Sequence, residues 1–269
     1  SDDQKNYFLQ NKELDFSFGF GGGTFGNLGR FRANIYFQRG YISAAFRFLR
    51  PNIRTVEELH LPKVISGFSD FRQGFVLVTG PTGHGKSTTI AAIINEINIK
   101  RAVHILTIED PIEFIHKSNR SLISQREVGM HTDSFPAAIK SALREDPNVI
   151  LIGEMRDLET IAAAITLAET GHLVLATLHT QDAAQTVDRM IDVFPPTQQQ
   201  QIRAQLSTTL LGIVAQTLIP RADGNGRTVA FEILVRNDAI TNCIKEGTTH
   251  QIYSMMQIGK ADGMITLDT

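Results

Sequence analysis

Hydrophobic positions along this chain change their period near residue 62. Before that point Leu14, Phe16, Phe18 and Phe20 alternate with Asp15, Ser17 and Gly19, and Phe31, Ala33, Ile35 and Phe37 alternate with Arg30, Arg32, Asn34 and Tyr36. A period of two predicts two half-buried strands. Residues 55–61 read as a short helix stopped by Pro62, which sets the expected boundary between a small domain, residues 1–62, and a larger one, residues 63–269. Beyond it, short apolar runs at 75–79, 103–108, 149–152 and 173–178 alternate with segments of helical period. One helix carries Phe135, Ala138, Ile139, Ala142 and Leu143 on one face, with Ser134 as its N-cap and Pro147 past its end. Residues 157–170 and 182–191 supply two more, and Thr197 is placed to cap a helix containing the glutamines 198–201. Strands alternating with helices predict an α/β domain with a mostly parallel sheet covered on both faces. Residues 213–219 and 228–235, joined through Asp223-Gly224-Asn225-Gly226, read as a β-hairpin at the sheet edge, and helical segments follow Asp238.

The loop after the first of these buried strands carries the most specific chemistry. Gly80-Pro81-Thr82-Gly83-His84-Gly85-Lys86-Ser87-Thr88 meets the pattern G-x-x-x-x-G-K-[ST] at every fixed position, between a strand and a helix. Glycines let the backbone curl until successive N–H groups point at phosphate oxygens, and the positive end of the following helix adds to that field. The expected nucleotide ligands are Gly80, Thr82, Gly83, Gly85, Lys86, Ser87 and Thr88, with Lys86 on the β- and γ-phosphates and the Ser87 hydroxyl on Mg²⁺. A second match, Gly21-Gly22-Gly23-Thr24-Phe25-Gly26, formally satisfies G-x-G-x-x-G. A strand-patterned run follows it where a dinucleotide site needs a helix, so it reads as a hairpin connection.

Charge and cysteine content narrow the function classes. With 26 Lys and Arg against 28 Asp and Glu, the formal net charge is -2, and no global basic field favours nucleic acid. The single cysteine, Cys243, falls at helical spacing with Ala239, Ile240 and Ile244 and reads as a buried apolar thiol. No apolar run approaches the roughly 20 residues that span a bilayer, and Ser1-Asp2-Asp3-Gln4-Lys5 has no signal-peptide pattern. The expectation is a soluble cytoplasmic protein without an integral membrane segment.

Hydrolysis needs acids near the phosphates, and in an open α/β sheet ligands lie at the carboxyl ends of the strands. Three polar groups occupy such ends: Glu109-Asp110-Pro111-Ile112-Glu113-Phe114, Gly153-Glu154-Met155-Arg156-Asp157, and His179-Thr180-Gln181-Asp182. Glu154 is placed to reach the Mg²⁺ shell, so with Ser87 it forms the expected metal site. Glu113 or Glu109 could deprotonate the attacking water, and spacing alone does not choose between them. His179 is placed to bond the γ-phosphate or the acids and so report nucleotide state, while His172 stands at the start of the same strand. The two histidines lack further ligands at metal spacing, which disfavours a zinc pair.

The string 80–89, the run Thr107-Ile108-Glu109-Asp110-Pro111-Ile112-Glu113-Phe114, the run Ala142-Leu143-Arg144-Glu145-Asp146-Pro147 and the segment 153–157 resemble the secretion-ATPase superfamily. The segment 171–180 resembles its histidine box, and the likeness is greatest to the retraction ATPases of type IV pili. That resemblance implies a RecA-like P-loop NTPase domain after a partial PAS-like α+β domain. It also implies a cytoplasmic homohexamer that hydrolyses ATP with Mg²⁺ at the inner face of the cytoplasmic membrane, against an inner-membrane platform protein. Carried over by position, Glu113 is the catalytic base, Glu154 the Walker B acid, and His172 and His179 the box histidines. Arg32, Arg47 and Arg39 match the region whose arginines face the γ-phosphate, where a loose transition state gathers negative charge. His84 stands where the group has a small residue, and Thr241 and Cys243 replace Arg and Leu of a retraction-specific segment. The alternatives are an assembly or type II secretion ATPase, without the four-cysteine zinc module usual there, and a nucleotide-gated hexameric scaffold with little turnover.

Overall fold

A computed structural model describes residues 2–21, 27–49 and 52–267. Its contacts divide the chain into two compact units, Ser1–Ile53 with Pro111–His116, and Arg54–Asp110 with Lys117–Thr269. Between Ile53 and Pro62 lies a single capped turn where the sequence predicts a helix. Thr55 Oγ1 accepts from the Glu58 amide at 3.1 Å and Glu58 Oε2 accepts from the Thr55 amide at 2.9 Å, a reciprocal box that closes one turn. His60, at φ 53°, then leaves helical space, so no second turn forms.

In the first unit, helix α1 (Asp2–Asn11) leads into strands β1 (Glu13–Gly21), β2 (Asn27–Gln38) and β3 (Tyr41–Leu49), an antiparallel sheet in that order. Both alternating segments form strands; β3 and α1 have no counterpart in the expected elements. The glycine-rich connection at 22–26 lies outside the described residues, but a strand follows it directly. Register puts the rows Phe16/Ala33/Phe46 and Phe18/Phe31/Phe48 on one face. Their rings meet edge to face or stacked, Phe31 and Phe48 at 5.4 Å and Phe18 and Phe31 at 5.8 Å, which orders the face beyond simple burial.

The second unit is built on a seven-stranded sheet. Helix α2 (Lys63–Gly67) precedes β4 (Gly74–Thr79), α3 (Lys86–Lys100), β5 (His104–Glu109), β6 (Leu122–Glu127), α4 (Phe135–Ala142), β7 (Val149–Ile152), α5 (Leu158–Glu169) and β8 (Leu173–Leu178). Helices α6 (Ala183–Asp192) and α7 (Pro196–Thr209), strands β9 (Leu210–Pro220) and β10 (Arg227–Val235), and helices α8 (Asp238–Glu246) and α9 (Ile252–Ile258) complete it. The strand order is β10-β9-β4-β8-β7-β5-β6, with every neighbour parallel except the β9–β10 hairpin.

Alternation within the buried strands builds a core on each face. Phe75 and Leu77 of β4 join Leu106, Ile108, Ile150 and Val174 beneath α4 to α9, whereas Val76 and Val78 join Ile105 and Leu175 beneath α2 and α3. Among the described residues, α3, the short α2 and the segment holding Val56, Leu61 and Phe68 cover the second face, so the helix of the β4–α3–β5 crossover lies on the other side of the sheet from the later ones. Asp157, Asp182 and Asn237 cap α5, α6 and α8 through amides three residues on, as Ser134 caps α4. Leu143 departs from expectation: it follows the last turn of α4 and is exposed. Thr197 likewise caps nothing, because Pro196 opens α7 and its fixed φ suits a first helical position. The extra strand β6 escaped notice because Leu122, Ser124 and Arg126 mix apolar and polar residues on one side of an edge strand.

Candidate functional site

Parallel pairing brings the carboxyl ends of β4, β7 and β8 together, and the loop at 80–85 leaves β4 at that end. Gly80, Gly83 and Gly85 have φ of 134°, 81° and 89°, a region that side-chain-bearing residues rarely enter. Gly80 is constrained further, since a Cβ there would collide with the Gln216 carbonyl of β9. The loop then enters α3, so the amides of its first turn and the positive end of its dipole face the enclosed space. Lys86 is buried, and its ammonium donates to the carbonyls of Gly80 at 2.7 Å and Pro81 at 3.1 Å.

Three of the predicted side chains form one continuous polar line. His179, just past β8, lies with Nε2 2.8 Å from Glu154 Oε1, just past β7. Its Nδ1 lies 3.4 Å from Lys86 Nζ and 3.5 Å from the Thr82 hydroxyl. A carboxylate only accepts, so Nε2 carries the proton and Nδ1 is the acceptor toward the ammonium. Arg156 also donates to the same Glu154 oxygen. Burial alone would raise the Glu154 carboxyl, but the hydrogen bond and charge of Arg156, with the hydrogen bond from His179, hold it below the usual carboxylate range. Below them Thr177 donates to the Gly153 carbonyl at 2.5 Å and fixes the turn from which Glu154 projects.

Other predicted residues stand elsewhere. His172 occupies the opposite end of β8 from His179 and bonds the Leu167 carbonyl through Nδ1 at 3.0 Å, so the structure does not bring it to the loop within this unit. Glu109 ends β5, where its carboxylate accepts from Thr107 at 2.7 Å and Gln125 at 3.2 Å. Glu113 belongs to the segment that groups with the first unit. There, Arg32 and Arg47 pair directly across β2 and β3, which sets them on one face of the sheet. Arg39 sits in the exposed β2–β3 turn at φ 48°. Sequence reasoning missed Gln216, on β9, whose buried side chain bonds both the loop and α3; only a three-dimensional register reveals it. No helix among the described residues is long and apolar enough to cross a membrane.

A phosphate-loop ATPase-like core of RecA type is the class that this sheet order and loop define. The chain belongs to the family described as type II/IV secretion system protein, whose model matches residues 63–266. It is 50% identical over 268 residues to the twitching motility protein of Neisseria gonorrhoeae, covering all of this chain and 70% of that protein. It is 49% identical over 268 residues to the type IV pilus retraction ATPase PilT of Pseudomonas aeruginosa, covering all of this chain and 76% of that one. The crystal structure of the pilus retraction motor PilT with bound ADP superposes with a TM-score of 0.90 at 47% identity, covering all of this chain and 79% of its own.

Proposed function

We propose that this chain is the ATP-hydrolysing motor of type IV pilus retraction, working as a homohexamer on an inner-membrane platform protein. The observation that carries the reading is the line of contacts from Lys86 through His179 to Glu154, set at the mouth of a phosphate loop. The likeness to two pilus-motility proteins over the whole chain supports the output.

The residues fit the nucleotide. Gly80, Gly83 and Gly85 supply a concave backbone, Lys86 a buried cation, and Thr82 an exposed hydroxyl beside His179, with Thr88 of the first turn of α3 as the remaining proposed contact. Ser87 and Glu154 would hold Mg²⁺, which when bound draws charge from the β- and γ-phosphate oxygens. The ammonium of Lys86, which donates to two loop carbonyls and lies beside His179, would exchange carbonyls for phosphate oxygens of higher charge. His179 keeps Glu154 oriented through Nε2 and, through Nδ1, accepts from the Lys86 ammonium that would meet the incoming phosphate. Glu113 is the proposed base for the attacking water, on the resemblance of its segment 107–114 to the family's acidic box. Arg32 and Arg47, with Arg39, are the proposed γ-phosphate arginines, and His172 is assigned a supporting place in the histidine box.

Phosphate release by the purified protein tests the chemistry: Lys86→Ala and Glu113→Gln should each abolish most turnover, and undiminished turnover in Glu113→Gln removes that residue as base. A deletion strain tests the output. Loss of fibre retraction with extension intact is expected; loss of extension would favour an assembly ATPase.

A further inference from the structure

β9 is longer than the strand it accompanies. Its pairing with β4 ends at Thr79 and Ala215, yet β9 continues to Pro220. On that side the phosphate loop, not another strand, takes up the edge. The Gln216 carbonyl backs onto Gly80, the Gln216 amide nitrogen donates to the His84 carbonyl at 2.7 Å, and its amide oxygen accepts from the Thr89 hydroxyl of α3 at 2.8 Å. The Leu218 amide donates to Nδ1 of His84 at 3.2 Å. Gln216 and Thr89 are both buried.

From this geometry we infer that Gln216 is a positioning residue for nucleotide binding, acting through the loop, and that His84 is a second latch onto the same strand. The inference rests on the reading that nucleotide binds at the loop. A side-chain amide presents a donor and an acceptor side by side, and here each has a different target. The donor fixes the carbonyl of the residue before Gly85, so the amides that follow are aimed before any phosphate arrives. The acceptor ties the first turns of α3 to the same point. A preorganised loop binds more tightly because the ordering of its backbone is not charged to the binding step. His84 therefore changes more than the unconstrained loop position its place in the motif suggests. Its ring adds a hydrogen bond to the sheet edge that a small residue lacks.

The test measures dissociation constants for fluorescently labelled ADP with Mg²⁺ on the full chain, alongside KM for ATP, kcat and the nucleotide-free thermal midpoint. Gln216→Glu keeps the shape but turns an acceptor toward the His84 carbonyl. It should weaken binding and raise KM at least about ten-fold, with kcat at saturation within about two-fold and the thermal midpoint little changed. Thr89→Val should weaken binding in the same direction, whereas Thr89→Ser keeps the hydroxyl and should bind as the unsubstituted protein does; this pair decides the matter if Gln216→Glu fails to fold. His84→Asn retains an acceptor at the Nδ1 position and should preserve affinity, while His84→Phe should lose about three-fold. Unchanged affinity in both Gln216→Glu and Thr89→Val overturns this inference alone. Absence of nucleotide binding by the unsubstituted protein overturns it together with the proposed function.

Discussion

His179 and Glu154 are joined at 2.8 Å from the ends of adjacent parallel strands, so the ring of one sets the direction of the other's carboxylate. Because the second ring nitrogen faces Lys86, a change at the loop is felt at the acid through a single side chain. Replacing His179 with Ala is expected to lower phosphate release about ten- to a hundred-fold, the range seen when an orienting partner of a metal-site ligand is removed. His179→Gln, which retains one donor toward Glu154, should recover part of that loss. Equal rates in the Ala variant and the unsubstituted protein would show the contact to be idle.

Arg156 gives the site a defined acid limit. It holds the Glu154 carboxyl low against the opposing effect of burial. A carboxyl whose folded pKa is depressed contributes stability above its unfolded value, and that contribution fades as pH falls through the folded one. Arg156→Gln should therefore move the acid limb of the pH–rate profile toward higher pH. A limb that stays in place would assign it to another group.

His116 makes a separate prediction about stability. The residue is half-buried, but its Nδ1 is sealed from solvent, and burial pushes the ring down to about 4. The unfolded ring takes up its proton near 6.5, so between those values the unfolded state binds more protons and stability falls as pH falls. On the order of 2 kcal/mol should be lost between pH 7 and pH 4, less than the full shift because water reaches part of the ring. His116→Asn should flatten that slope in denaturant titrations at the two pH values.

Arg32 and Arg47 face each other across β2 and β3, and like charges directly opposite weaken a sheet. Asp15, 4.0 Å from Arg32, offsets only part of the repulsion. Arg47→Gln is expected to raise the stability of the first unit by about 0.5 kcal/mol while lowering phosphate release. A variant losing both stability and turnover would mean that the arginines serve the sheet and not an anion.

Much of this was legible in the chain because the signals are local. The phosphate loop, the cap at Ser134 and the buried strands each follow from a few neighbouring residues. Residues 55–61 misled because the same Thr55 and Glu58 that open a helix also close a lone turn when His60 adopts a left-handed backbone. β6 was missed because an edge strand need not alternate cleanly. His172, seven positions from His179, was legible at the start of the same strand, and the length of β8 does set the two at opposite ends of the sheet. Gln216 lies 132 residues from its partner His84, and no window of sequence contains both.

That separation bears on the order in which the domain assembles. The glycines of the loop and the first turn of α3 are neighbours in the chain and can take shape early, whereas the hairpin that braces them must first travel back across the sheet to pair with β4. A refolding chain should therefore regain helix content before it regains tight nucleotide binding, and the binding signal should mark the arrival of β9.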